Sequence, residues 1–471
     1  MDRRSVVIVG FVALALLVAI GVGIALTTGG SGNQSVRTSP GSVTTVPIPA
    51  TLPTTSTTRP VTPSSVNTVP TLPKPTVVIG PSPTTAPPAP TTTTRPSGGN
   101  DTGITDREIR LTAIADTAPV LRGVEAWAAA LNRAGGLAKR TVRIDARLVT
   151  TAADYTAAVS SACANSFAIV GSSSTFDSQS AGLHCGIPEI ATRLFDPGHQ
   201  ALPNAYAVIP ARTGLERVGA FKRLLTTVSG CCRQYVLLPT ADPGRTATTS
   251  SLRAAETIGF TTAATPDVSP TATPADYTTL AKDLIAKQAT FARSGLGAAS
   301  TVLLRKAAAA EAGAGTVKAW YCDASCDDPT FLTSGGAAVE GQLIDEGVNP
   351  LVDQHAVPAI GAFVRAMRHV GAAPSVPALE SYSASLLFEQ TARQVIQASG
   401  DNGLTRVRLL GAVGTIHAFN AGGILGATDV GARQPTGCFM LLTVKNGHFV
   451  RSYPTAPGQL DCGAQNLKMG S

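Results

Sequence analysis

Cys322-Asp323-Ala324-Ser325-Cys326-Asp327-Asp328 is the densest run of chemically capable side chains in this 471-residue chain. Two thiols and three carboxylates so close together suggest a metal site. A closed zinc site, however, needs a second Cys or His pair, and none lies nearby. The six His (184, 199, 355, 369, 417 and 448) are scattered without zinc spacing, so no metal is expected. Gly295-x-Gly297-x-x-Ser300 imitates part of a dinucleotide fingerprint. The third Gly is missing and no acidic residue ends a strand about 20 residues on, so a small-residue loop is the better reading. There is no Gly-x-Ser-x-Gly elbow, no phosphate-cradling Gly-rich loop with Lys and no His-Glu-x-x-His. No catalytic set and no cofactor site emerge, so the chain is expected to bind rather than catalyse. The remaining candidate is Gly171-Ser172-Ser173-Ser174, where hydroxyls and free backbone N–H groups at the start of a helix suit a carboxylate. Plain helix capping by Ser is the competing reading.

The order of the segments sets the compartment. Val6 to Leu26 carries no charge over a length that spans a bilayer core of roughly 30 Å as a helix. Arg3 and Arg4 precede it, which places residue 1 in the cytoplasm and the rest outside. A cleaved signal peptide has a shorter apolar core, and Gly23-Ile24-Ala25 is only a weak cleavage site. Residues 1–27 are therefore expected to be an uncleaved signal anchor in a single-pass membrane protein. No Cys follows the apolar run, which excludes lipid attachment there. Residues 28–100 are dominated by Thr, Ser and Pro, as in Pro87-Pro88-Ala89-Pro90. Such a stretch cannot bury a core, and its fixed prolines favour an extended tether with a reach of roughly 200 Å.

Charge follows the same division. Of the net +7, residues 1–30 hold +1 (Asp2, Arg3, Arg4) and residues 31–100 hold +4 (Arg37, Arg59, Lys74, Arg95), which leaves +2 for residues 101–471. The globular part is nearly neutral and has no Lys/Arg cluster interleaved with aromatics, so nucleic acid is not an expected partner. Eight Cys outside the cytoplasm favour disulfides. Local separation suggests Cys163–Cys185, Cys322–Cys326 and Cys438–Cys462. Cys231 and Cys232 are left either as a vicinal bridge or as thiols.

From Ile104 onward strands and helices alternate. Strands are expected at 109–115, 142–148, 167–170 and 187–191, with helices at 123–132 and 154–165. A second run follows: helices at 214–227, 246–258, 275–286 and 300–312, and strands at 234–238, 291–294 and 317–321. This alternation predicts an α/β fold with doubly wound, mostly parallel sheets, and its repetition predicts two lobes. A late strand pair, 439–444 and 449–450, flanks the hairpin signal Asn446-Gly447.

Several motifs in order resemble the branched-chain amino-acid binders with the type I periplasmic-binding fold, the leucine/isoleucine/valine type of solute-binding protein. They include Gly103-Ile104-Thr105-Asp106, Ala130-Leu131-Asn132-Arg133-Ala134-Gly135-Gly136-Leu137 and Ile169-Val170-Gly171-Ser172-Ser173-Ser174. Gly186-Ile187-Pro188, Val339-Glu340-Gly341 before a strand, Tyr382 opening a long helix and Phe419-Asn420-Ala421-Gly422-Gly423 complete the series. The likeness covers roughly residues 101–465. It implies two lobes, 101–212 plus 350–430 and 213–349 plus 431–471, joined by three crossovers. It also implies capture of a small amino-acid-like solute for an ABC permease or a sensor. Ser172, Ser173, Ala191 and Thr192 would then hold the anionic end of the ligand. In lobe 2 the family's usual Tyr-Gly pair is absent: the loop reads Pro239-Thr240-Ala241-Asp242-Pro243-Gly244, and the loop containing Leu296 also lacks an aromatic. Asp242, or Asp323 beside Tyr321, would pair with a ligand ammonium. The departures keep a second reading open, an envelope interaction module whose cleft no longer takes a solute.

Overall fold

A computed structural model describes residues 101–471, apart from Thr213, Pro243, Gln465, Gly470 and Ser471. The expected anchor at 1–27 and tether at 28–100 lie outside the described residues. Strands β1 (Glu108–Ala115), β2 (Thr141–Leu148), β3 (Ala168–Val170), β4 (Glu189–Ala191) and β5 (Ala205–Ala207) alternate with α1 (Ala118–Arg133), α2 (Ala152–Asn165) and the short α3 (Pro197–Gln200). All pairings are parallel, in the order β2-β1-β3-β4-β5. The inner strands read as apolar runs because helices cover both faces. Leu111, Ala113 and Val170 pack on the α1 side with Val124 and Trp127, while Ile114 and Ile169 pack on the α2 side with Tyr155 and Val159.

A short strand β6 (Leu215–Glu216) and helix α4 (Gly219–Thr227) lead to a second set. Here β7 (Arg233–Pro239), α5 (Gly244–Thr257), β8 (Thr261–Ala264), β9 (Asp267–Val268), α6 (Pro274–Ala286) and β10 (Phe291–Ser294) are followed by α7 (Ala298–Ala309), β11 (Ala319–Asp323), α8 (Pro329–Gly335) and β12 (Leu343–Glu346). The parallel part has the order β8-β7-β10-β11-β12, so the first-formed strands of both sheets follow one scheme. After β12 the chain returns to the first sheet as α9 (Pro358–His369), α10 (Val376–Ser399) and α11 (Arg406–Val413). It then ends on the second sheet as the antiparallel strands β13 (Met440–Lys445) and β14 (His448–Tyr453). Finally, β15 (Leu467–Lys468) pairs with β6.

Helix α10 seals the first sheet against α1. A Cβ on Gly123 would lie 2.1 Å from the Ala378 carbonyl oxygen, so only glycine allows that approach. Phe388 of α10 meets Trp127 and Phe167 edge-on, at 5.9 and 6.4 Å between ring centres. These arrangements add to simple area burial. Three local expectations are corrected. The helix expected from Gly214 starts at Gly219, because Leu215 and Glu216 pair with β15 instead. β5 and β8 were not foreseen: β5 has three residues, and β8 is a Thr-rich edge strand with no apolar run to reveal it. Among the described residues no helix is long and apolar enough to cross a membrane.

Candidate functional site

In an open sheet of order 2-1-3-4-5 a crevice opens beyond the carboxyl ends of strands 1 and 3, where successive connections diverge. In the first sheet this is the meeting of β1 with β3. Gly171 follows β3 with φ +70°, and a Cβ there would lie 2.4 Å from the Val124 side chain, so the loop lies flat on α1. Ser173 N–H donates to the Ile114 carbonyl at 3.0 Å. Asp116, just past β1, accepts from Thr175 N–H at 2.8 Å and from its hydroxyl at 2.9 Å. The loop is thus stitched across the switch point.

Most of the hydroxyls proposed for a ligand are committed inside the protein. Thr192 is buried, and its hydroxyl donates to the Gly171 carbonyl at 3.0 Å. Ser172 is buried and donates to Glu189. Glu189 in turn holds His199 Nε2 at 2.6 Å, and Asp177 lies 3.5 Å from His199 Nδ1. Burial alone would depress the His199 pKa, but the two carboxylates outweigh it and push it up to about 10. Ala191 is fully buried within β4. Ser173 is half-buried, and its hydroxyl makes no hydrogen bond within the described residues.

In the second sheet Asp242 caps α5, accepting from Thr246 N–H at 3.0 Å and from its hydroxyl at 2.6 Å. Leu296 N–H donates to Ser294 Oγ at 3.1 Å, and its side chain packs against the core beneath α6 and α7. Tyr321 is a core residue: its ring lies 5.1 Å from Phe221, and its hydroxyl donates to Asp345 at 2.6 Å. Asp323 is exposed and accepts from Ser325 N–H at 3.0 Å, capping the turn that Cys322–Cys326 closes. The expected residues are therefore not one cluster. Asp242 and Asp323 are exposed, Ser173 and Leu296 are half-buried, and Ser172, Ala191, Thr192 and Tyr321 are buried.

The charged residues near the strand ends of the two sheets escaped sequence reasoning. Arg193, directly after Thr192, makes two hydrogen bonds to Glu380 of α10, at 3.2 and 2.5 Å. Burial lowers the Arg193 pKa, but Glu380 first, then Glu346 and Asp323 of the second sheet, more than restore it. Arg193 thus feels carboxylates from both sheets, yet 35% of its side chain stays accessible, so water reaches the gap between them. Arg217 Nη2 lies 3.0 Å from Asp345 Oδ1, off the hydrogen-bonding line, and its Nη1 donates to the Cys438 carbonyl at 3.2 Å. Glu346 at the end of β12 is buried with both oxygens unpartnered. The one available signal was a charge ending an otherwise apolar strand, as in Leu343-Ile344-Asp345-Glu346.

The sequence profile of a family described as periplasmic binding protein matches residues 112–448. The chain belongs to that family. Solved structures share the fold of this periplasmic binding protein. A substrate-binding periplasmic protein from Ralstonia solanacearum is 19% identical, with 73% of this chain and 100% of that chain covered, at a TM-score of 0.60. The branched-chain amino-acid transporter substrate-binding protein LivJ from Streptococcus pneumoniae, in complex with isoleucine, is 14% identical, with 74% and 100% covered, at 0.60. A fatty acid ABC transporter substrate-binding protein from Thermomonospora curvata is 16% identical, with 78% and 94% covered, at 0.61. No curated protein matches the sequence.

As a periplasmic binding protein the chain is a binder and not an enzyme, and each lobe-like sheet presents its crevice loops. Four disulfides brace it: Cys163–Cys185, Cys231–Cys232, Cys322–Cys326 and Cys438–Cys462. The first ties α2 to the segment leading into β4. The third clamps the loop bearing Asp323 and Asp327. Among the described residues no group of His, Cys, Asp or Glu is placed to hold a metal ion.

Proposed function

We propose that this protein is a membrane-tethered, extracytoplasmic solute-binding protein. It captures a small amino-acid-like ligand between two lobes and presents it to an ABC permease or a sensor. The observation that carries this reading is that the partly accessible Arg193, paired with Glu380 of the first sheet's side, also feels Asp323 and Glu346 from the second. A zwitterion is matched by such charges better than an uncharged solute is. In this reading residues 101–212 with 350–430 form one lobe and 213–349 with 431–471 the other, joined by three crossovers about which they close. The Ser173 hydroxyl takes the carboxylate, with Ser172, Ala191 and Thr192 holding its loop. Asp323 takes the ammonium, supported by Tyr321, while Asp242 and Leu296 border the mouth. LivJ, solved with isoleucine, supports the ligand class. Residues 1–27 anchor the chain, and residues 28–100 lift the binding unit away from the membrane. Membrane fractionation with N-terminal sequencing tests the anchor: a soluble chain beginning after Ala25 overturns it.

A second reading, an envelope interaction module with a degenerate cleft, draws on the internal commitment of the Ser172 and Thr192 hydroxyls and on the absence of an aromatic between 239 and 244. A thermal-shift screen of the full chain against amino acids, short peptides, polyamines, sugars and nucleobases separates the two. Ligand at 100 times its Kd adds about 2.7 kcal/mol of stability, a shift of a few degrees. A hit weakened by Ser173→Ala and Asp323→Asn supports capture. A flat response from folded protein overturns capture and favours the module.

A further inference from the structure

Where the chain leaves β12 it pairs with the segment that follows α11. Gly347 to Asn349 runs against Ile424 to Gly426: Gly426 N–H donates to the Gly347 carbonyl at 3.2 Å, Val348 bridges Leu425, and Asn349 N–H donates to the Ile424 carbonyl at 2.8 Å. Glu346 immediately precedes this crossing. Its side chain is 1% exposed, and neither carboxylate oxygen has a hydrogen-bond partner. A buried carboxylate in that condition is neutralised either by a proton or by a cation.

Among the described residues the surroundings supply no spare cation. Burial first, then Asp327, Glu380 and Asp345, push the Glu346 pKa well above the carboxylate range, and Arg217 alone opposes them. Arg217 already lies against Asp345, and Arg193 is held by Glu380 through two hydrogen bonds. Asp327 is half-buried, with no hydrogen bond to its carboxylate among the described residues, and burial and Asp328 raise its pKa to about 7. Three carboxylates at the gap, Asp323, Asp327 and Glu346, therefore lack a guanidinium partner. An amino acid with an apolar side chain brings one positive and one negative group, and so offers these carboxyl groups no additional cation.

We infer that the solute carries a second cationic nitrogen, an alkylammonium or guanidinium, which is held by Glu346 and Asp327. The inference rests on the cleft-capture reading above and names the ligand class within it. Lysine, arginine and putrescine share the required nitrogen. Norleucine has the lysine chain without it.

Titration calorimetry on the full chain in detergent, with L-lysine, L-arginine, putrescine, L-norleucine and L-leucine, tests the inference. The expected result is that at least one cationic probe binds ten times or more tighter than norleucine. Lysine and arginine above putrescine point to an amino acid, and the reverse order to a diamine. Glu346→Gln should reduce the lysine-to-norleucine preference at least tenfold. Asp327→Asn, at a half-buried position just past the Cys322–Cys326 turn, should act in the same direction and covers the case in which the first variant does not fold. Leucine or norleucine binding as tightly as lysine overturns the inference and leaves cleft capture standing. No binding of any probe overturns both. An unchanged preference in both variants removes Glu346 and Asp327 from recognition and overturns the inference.

Discussion

His199 offers the sharpest test of how the Ser172 loop is held. Its imidazole is fully buried between Glu189 and Asp177, which are themselves 1% and 3% exposed. Replacing it with Gln removes the only cation from this pocket and leaves two buried carboxylates. A rise from 6.5 to about 10 corresponds to roughly 5 kcal/mol between the charged and neutral forms. Breaking a buried pair by deleting one partner costs about 3–5 kcal/mol, so the two routes agree. Because the folded-state pKa is raised, the contribution is fully present below pH 6.5 and is lost as pH rises through 10. Urea unfolding followed by tryptophan fluorescence suits the question, since the buried Trp127 reports on the sheet that carries His199. Wild type should exceed His199→Gln by about 3–5 kcal/mol at pH 6, and the difference should shrink by most of that amount at pH 10.5. A difference below about 1 kcal/mol at pH 6, or one that does not change with pH, would falsify the charged-pair account.

Other consequences follow from particular contacts. Glu346→Gln should stabilise the ligand-free protein by about 1–3 kcal/mol at pH 7.5, because on folding the wild-type carboxyl must either stay charged without a partner or take up a proton. That gain should fade as pH falls below 4.5, the ordinary Glu value, where the carboxyl is protonated in the unfolded state as well; equilibrium urea curves at pH 7.5 and about 3.5 check it. Gly123→Val should cost about 3 kcal/mol in a thermal or urea melt by driving α1 off Ala378, and an unchanged midpoint contradicts the close packing described here. Replacing Cys163 and Cys185 together with Ser opens a loop of separation 22 and should cost about 3 kcal/mol, read as the urea midpoint under oxidising conditions.

The two sheets were legible because helices bury them on both faces. Phe291–Ser294 and Ala168–Val170 are almost wholly buried, so they stand out from the Thr-, Pro- and Gly-rich connections. Thr261–Ala264 stayed hidden because an edge strand with half-exposed side chains needs no apolar run. The Ser172 loop was visible as small residues between a strand and a helical turn. The use of its hydroxyls was not, because Glu189 becomes a partner only once β3 and β4 lie side by side. The same limit hid the charged residues: Arg193 and Glu380 are 187 residues apart, and local spacing carries no trace of such a pair.

Both sheets start with the strand order 2-1-3-4-5, so each places its divergent connections at the carboxyl end of its own first and third strands. A binding protein of this kind is two half-sites, and its selectivity depends on what each half offers. The first half offers a stitched loop of small residues with one free hydroxyl, on Ser173, and a guanidinium already committed to Glu380. The second has carboxylates near its strand ends, Asp323 at the end of β11, Asp327 just beyond it and the buried Glu346 at the end of β12, and no aromatic between 239 and 244. Stacking on an aromatic ring tolerates many side chains, whereas an uncompensated buried carboxylate penalises every ligand that leaves it unpaired. The features that depart from the branched-chain binders therefore act together. In the capture reading, the missing aromatic would remove an attraction for apolar side chains, and Glu346 would favour a ligand that brings a cation to take the place of a proton.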